Sequence, residues 1–147
     1  MEKNDIYFYK FAMEQAAKSL SEGGIPIGAV MIKDNEIVGK GHNQRVQKDN
    51  PILHGEMDCL QNAGRQKNYK GTTLYTTLSP CMMCSGTIVQ FKISRVVVGE
   101  NINFDGNIDF LKSRGVEVVL LNDLPSIEMM KKFIEENPVL WNEDITE

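Results

Sequence analysis

Between Asp5 and Leu20 the apolar residues Ile6, Phe8, Phe11, Ala12, Ala16 and Leu20 recur at mostly helical spacing, and Gly23-Gly24 closes the run. The pattern predicts a first helix. IPIGAVMI (25–32) and EIVGKGHN (36–43) flank the turn residues KDN, and their β-branched content predicts two paired strands, the second running into a loop at Gly41 to Asn43. HGEMDCLQNAGR (54–65) has no strand alternation and good helix formers, with Gly64 near its end. GTTLYTTLS (71–79) reads as a strand and CMMCSGTIVQF (81–91) as the helix after it, with Pro80 at the junction. The rest reads as strand ISRVVVG, loop ENINFDGN, short helix IDFLKSR, strand VEVVLL, helix PSIEMMKKFIEE and the tail NPVLWNEDITE.

The order α-β-β-α-β-α-β-α-β-α, free of repeats, linkers and low-complexity runs, predicts an α/β domain over residues 1–147, with one sheet covered by helices on both faces. At 147 residues the chain can bury roughly 70% of its unfolded surface, so disulfides are not needed to hold it together. Its three cysteines, Cys59, Cys81 and Cys84, are an odd number, and Glu2 and Asp5 stand where a signal peptide would be basic and then apolar. A cytoplasmic chain with reduced thiols is therefore expected. No apolar run approaches the roughly 20 residues of a membrane span, so no membrane partner is expected. Sixteen basic against 20 acidic residues, a net charge of −4, argue against nucleic acid as a partner. The basic cluster Arg65, Lys67 and Lys70 reads as a solvated turn, since only Tyr69 interleaves it.

Candidate chemistry begins at TTLSPCMMC, which puts Cys81 and Cys84 one helical turn apart after a proline. Such a pair could be a thioredoxin-like redox motif, a structural staple or part of a metal site. Zinc takes sulfur and imidazole ligands, and a catalytic site supplies three from the protein and leaves the fourth position to water. His54 at the start of one predicted helix and the two cysteines at the start of another can form that set, with the helix dipole favouring the thiolate. Glu56 tips the choice: H-x-E followed by P-C-x-x-C is the zinc deaminase signature, in which the glutamate moves protons and does not ligate.

In GGIPIGA, GHN, LHGE, TTLYTTLSPCMMC, VVVGENINF and FIEENPVLWNEDI the chain resembles the cytidine deaminase superfamily and, within it, the fungal-type free-base cytosine deaminases. The resemblance implies a cytidine deaminase-like fold, a three-layer α/β/α sandwich around a five-stranded mixed sheet. It implies one Zn²⁺ per chain on His54, Cys81 and Cys84, with Glu56 as proton carrier. For the substrate it implies the Asn43 amide and the Gly55 N–H on the pyrimidine edge, the Ser79 carbonyl and Asp144 on the exocyclic amine, and walls from Ile27, Leu78, Phe104 and Trp141. Apolar wall residues and core residues look alike in sequence, so for Ile27, Leu78 and Phe104 plain core packing is the competing expectation. His42 is expected to be a structural hydrogen-bonding residue, Cys59 a buried thiol, and Met82, Met83, Met129 and Met130 core or interface filler. Two departures stand in the tail: Asn142 follows the tryptophan where the family has an aromatic, and Thr146 replaces a small residue. Looser lid closure is expected from them.

The expected reaction is zinc-dependent hydrolysis of free cytosine, and of 5-substituted cytosines, to uracil and ammonia in pyrimidine salvage, with water as co-substrate and a homodimer as the implied assembly. The alternatives are a deaminase of guanine, a modified pyrimidine or a nucleoside, a tRNA adenosine deaminase, and a non-catalytic zinc or thiol module.

Overall fold

In the computed structural model, which describes residues 1–147, the chain runs α1 (Asp5–Ser21), β1 (Gly28–Lys33), β2 (Glu36–His42), α2 (Gly55–Ala63), β3 (Thr73–Thr76), α3 (Met82–Gln90), β4 (Arg95–Val98), α4 (Ile108–Ser113), β5 (Glu117–Leu120), α5 (Leu124–Glu136) and α6 (Pro138–Ile145). The five strands form one sheet in the order β2-β1-β3-β4-β5. β1 pairs antiparallel with both β2 and β3, whereas β3, β4 and β5 are parallel, so the sheet is mixed. The hairpin between β1 and β2 turns at Asp34 and Asn35, both at positive φ (52° and 63°), a conformation Asn and Asp tolerate better than other side chains.

Period-two alternation sorts the side chains into two cores. Ala29, Met31, Leu74, Val96 and Val98 point to one face and pack with Cys59, Ile88 and Leu111 from α2, α3 and α4. Val30, Ile32, Tyr75 and Val97 point to the other and pack with Phe8, Tyr9 and Ala12 of α1. Because helices cover both faces, the inner strands read as near-continuous apolar runs, and each fully buried Val, Ile or Leu contributes about 1.5–3 kcal/mol. The layers are helix, sheet, helix. α5 joins the α1 side, where Ser126 meets the Tyr9 hydroxyl at 2.5 Å.

A third cluster, Ile25, Ile27, Leu78, Met130, Phe133 and Trp141, closes one end of the sheet. That end gathers the carboxyl ends of β3 and β4, the end of β2 and the beginning of antiparallel β1, the place where α/β sheets bind ligands.

The tail, read as a segment without an element, is helix α6. Asn137 and Pro138 start it, proline being suited to the first helical position, and Trp141 and Ile145 fall four apart on one face. The methionines divide: Met130 is core at 1% exposure, whereas Met82 stands 55% exposed on α3.

Candidate metal centre and active site

Two helix beginnings converge at the closed end of the sheet. His54 is the N-cap of α2 and Cys81 the N-cap of α3, both with extended backbone (ψ 161° and 176°), and neither side chain caps its own helix. The side chains are thereby free to turn toward each other. His54 Nδ1 lies 3.5 Å from Cys81 Sγ and 3.8 Å from Cys84 Sγ, and the three donor atoms all lie within 4.8 Å of one another. A tetrahedral zinc with nitrogen near 2.0 Å and sulfur near 2.3 Å separates such ligands by about 3.6 Å. The donor set fits zinc in type and in spacing, with one position left to a water. Nε2, the other imidazole nitrogen, faces Asp144 Oδ1 at 3.6 Å.

The proton balance of these groups follows from burial and proximity. Cys81 is pulled down to about 4 by the hydrogen bond from Cys84 and then by His54, while the same bond and burial push Cys84 up. Burial works against protonation of His54, but Cys81, Asp144 and Glu56 outweigh it and raise its pKa to about 9. Glu56, in the first turn of α2 and only 7% exposed, is raised by burial, and further by the Cys81 charge, to about 7.

Next to the donors lies a cavity of about 20 Å³, lined by Glu56, Ile27, Leu78, Ser79, Phe104 and Trp141 and closed by Asp144 and Ile145. Its free space is about that of one water, and it adjoins a cleft of about 770 Å³ that shares His54, Cys81, Phe104, Asp144 and Ile145. Phe104 and Trp141 meet edge to face, centroids 6.0 Å apart at 87°. Trp141 is buried at 5% exposure, with Ile27 and Leu78 in the same cluster, so those two residues are at once core and wall.

Asn43 is fully buried at the end of β2 and held from every side. Its N–H donates to the Ile27 carbonyl, its carbonyl accepts from Ser19 Oγ at 2.7 Å and from Gln47 Nε2, and its Oδ1 accepts from Arg45 N. The remaining amide donor, Nδ2, reaches Asp144 Oδ1 at 3.3 Å. Gly55 is the first residue of α2, so its N–H has no acceptor within the helix, and a Cβ there would lie 3.0 Å from the Ile27 carbonyl oxygen. The Ser79 N–H donates to the Glu100 carbonyl and its hydroxyl to the Asp105 carbonyl, leaving its own carbonyl without a hydrogen bond from the chain.

All twelve residues singled out in the sequence therefore gather at this end of the sheet. Ile145 was missed, although it lies one helical turn beyond Trp141. The helix signal at Asn137-Pro138 would have revealed it. Ser19 and Gln47, which brace Asn43 from α1 and the loop, carry no sequence signal at all. His42 bonds Glu22 through Nε2 at 2.8 Å, and burial pushes the Cys59 thiol up, so neither competes for the centre.

The two departures in the tail lie on the solvent side of α6. Asn142 is exposed, whereas its neighbour Trp141 is buried. Thr146 ends α6 at φ 61°, in the left-handed region that a small residue would occupy at lower cost.

Residues 2–100 match the family model described as the cytidine and deoxycytidylate deaminase zinc-binding region. A cytosine deaminase of Candida albicans is 58% identical over 139 residues, covering 92% of this chain and 93% of that protein. A tRNA-specific adenosine deaminase of Streptococcus pyogenes is 41% identical over 112 residues, covering 74% of this chain and 66% of the relative. Among solved structures, the guanine deaminase of Nitrosomonas europaea shares the fold with a TM-score of 0.73 at 17% identity, covering 86% of this chain and 82% of that one.

Proposed function

The chain belongs to the cytidine and deoxycytidylate deaminase family, defined by its zinc-binding region, and we propose that it hydrolyses free cytosine, and 5-substituted cytosines, to uracil and ammonia. Residues 1–147 act in this reading as one zinc-dependent deaminase domain, working in the cytoplasm, where its free thiols stay reduced. The observation that carries it is the junction of a three-donor zinc site, a buried glutamate and an aromatic lid around one small cavity. The cytosine deaminase likeness over nearly the whole chain supports the same substrate.

His54, Cys81 and Cys84 would hold the zinc, which supplies a water acidic enough to ionise near neutral pH. Ionised Glu56 takes a proton from the attacking water and delivers it to ring N3 as oxygen adds at C4. It then carries the second proton to the departing ammonia, so that water and cytosine leave as uracil and ammonia. Asn43 and the Gly55 N–H hold the pyrimidine edge, with the N–H aimed at the ring carbonyl. The Ser79 carbonyl and Asp144 accept from the exocyclic amine, which turns C4 toward the donors. Phe104 and Trp141 cover the ring and exclude bulk water.

A nucleic acid strand calls for a basic groove, which a chain of net charge −4 with an exposed Arg65, Lys67 and Lys70 turn does not offer. As for assembly, the half-exposed Met82 and Phe91 on and just after α3 suit a homodimer interface, and a monomer by light scattering would refute it. The substrate test is ultraviolet absorbance of zinc-loaded protein mixed in parallel with cytosine, cytidine and guanine. Conversion of cytosine alone is expected. Turnover of cytidine or guanine instead would overturn the substrate while keeping the zinc mechanism, and silence on all three would overturn both.

A further inference from the structure

Glu100, at the end of β4, is a fully buried carboxylate at 0% exposure with no cation against it. Its charge is balanced by N–H donors instead. Oε2 accepts from the Ile102 N–H at 2.7 Å and the Asn103 N–H at 2.9 Å, and Oε1 from Asn103 Nδ2 at 2.8 Å. The same Nδ2 donates to the Ile127 carbonyl at 2.9 Å, which ties the loop to α5. The backbone carbonyl of Glu100 accepts from the Ser79 N–H at 2.9 Å. One residue thus holds both the segment leading directly into Phe104 and the backbone of Ser79, two walls of the catalytic cavity.

We propose that Glu100 is a positioning residue for substrate binding, acting through Phe104 by folding the 101–103 loop so that the ring stands against Trp141; this rests on the cytosine deaminase reading for its kinetic consequence. A carboxylate is required there, and an amide does not replace it. In Glu100→Gln one oxygen can still serve the two backbone donors, but the new NH₂ confronts Asn103 Nδ2, donor against donor. Turning the Asn103 amide over relieves that clash only by pointing its oxygen at the Ile127 carbonyl. Either way a charge-assisted hydrogen bond of the loop is lost and Phe104 is released.

Trp141 is the only tryptophan of the chain, so its emission reports the Phe104 contact without any substrate. The experiment compares wild type, Glu100→Gln, Phe104→Ala and the double variant for zinc content, acrylamide quenching of Trp141, and KM and kcat on cytosine. Glu100→Gln is expected to keep its zinc, to expose Trp141 to quencher, and to raise KM about tenfold with kcat within about twofold, the loss of one charge-assisted bond in uniform binding. Adding it to Phe104→Ala should raise KM no further. Unchanged quenching and KM in Glu100→Gln, or an equal further rise in the Phe104→Ala background, would overturn the proposal. Asn103→Ala, at a half-buried loop position, makes the same test if Glu100→Gln does not fold. Should wild type leave cytosine untouched, the substrate reading falls, and quenching by itself still decides whether Glu100 sets the Phe104–Trp141 contact.

Discussion

Glu56 sits in the first turn of α2, buried beside the metal donors but outside their set, with a pKa raised to about 7. In the proposed reaction its carboxyl moves the protons, and Glu56→Gln preserves its size while removing that capacity. The expected result is a fall in kcat of about 10²–10⁴-fold with zinc content unchanged, measured by ultraviolet assay and metal analysis on one preparation. Loss of zinc along with activity would instead make the residue a support of the ligands. At this scale the metal donors and Glu56 were legible because each lies within a few residues of a helix beginning, where local spacing sets direction. Ser19 was not, because it meets the Asn43 carbonyl from 24 residues away, and Gln47 was not, because it sits in an irregular loop where spacing does not set side-chain direction.

Helix α6 supplies Trp141, Asp144 and Ile145 to the cavity, while the three metal donors lie between residues 54 and 84, and in the proposed reaction it serves as the lid. The two roles are separable. Ending the chain at Asn137 should leave zinc stoichiometry intact and lower kcat/KM for cytosine by about 100-fold or more, because the ring is no longer held near the attacking water. Loss of zinc from that truncation would show instead that the Asp144 contact to His54 is needed for metal binding. The Arg45–Glu143 pair at 3.3 Å and the Asn43–Asp144 bond join the lid to the loop after β2, two adjacent contacts between the same two segments.

Across the whole molecule, one clamp ties α1 to the sheet, and the zinc donors bring the beginnings of α2 and α3 together. Arg95 on β4 grips Asp5 with two hydrogen bonds of 2.7 and 2.6 Å, Tyr75 adds a third to the carboxylate, and Glu2 and Glu117 also reach the guanidinium. Burial would raise the Asp5 pKa, but Arg95 and Tyr75 outweigh it and hold it at about 2. A depressed carboxylate contributes stability above its unfolded pKa near 3.8 that is lost as pH falls through about 2. Denaturant melts should therefore weaken between pH 4 and pH 2. Arg95→Ala should cost about 3–5 kcal/mol at neutral pH, because it leaves a buried charge unpaired; a cost below about 1 kcal/mol would show the clamp to be dispensable. Chelating the zinc should lower the melting temperature and restoring it should recover the loss, since ligands that bind only the folded state stabilise it. An unchanged melting temperature would mean that packing alone holds the two helix beginnings together.

By itself the sequence determined the order of the elements through hydrophobic period, and the reactive set through H-x-E and P-C-x-x-C. Both are local properties: side-chain direction follows from spacing within a single helix or strand. The order of helices and strands also pointed to one sheet covered on both faces, and the resemblance to its being mixed. Only the tertiary structure decided that Ile27 and Leu78 are core and cavity lining together, and that the Glu100 carboxylate takes the N–H groups of the loop before Phe104. Ile27 and Leu78 meet Trp141 across gaps of more than 60 residues, and the Glu100 bonds, though local, form in an irregular loop, so in both cases burial and partners are set by packing and not by the period of an element.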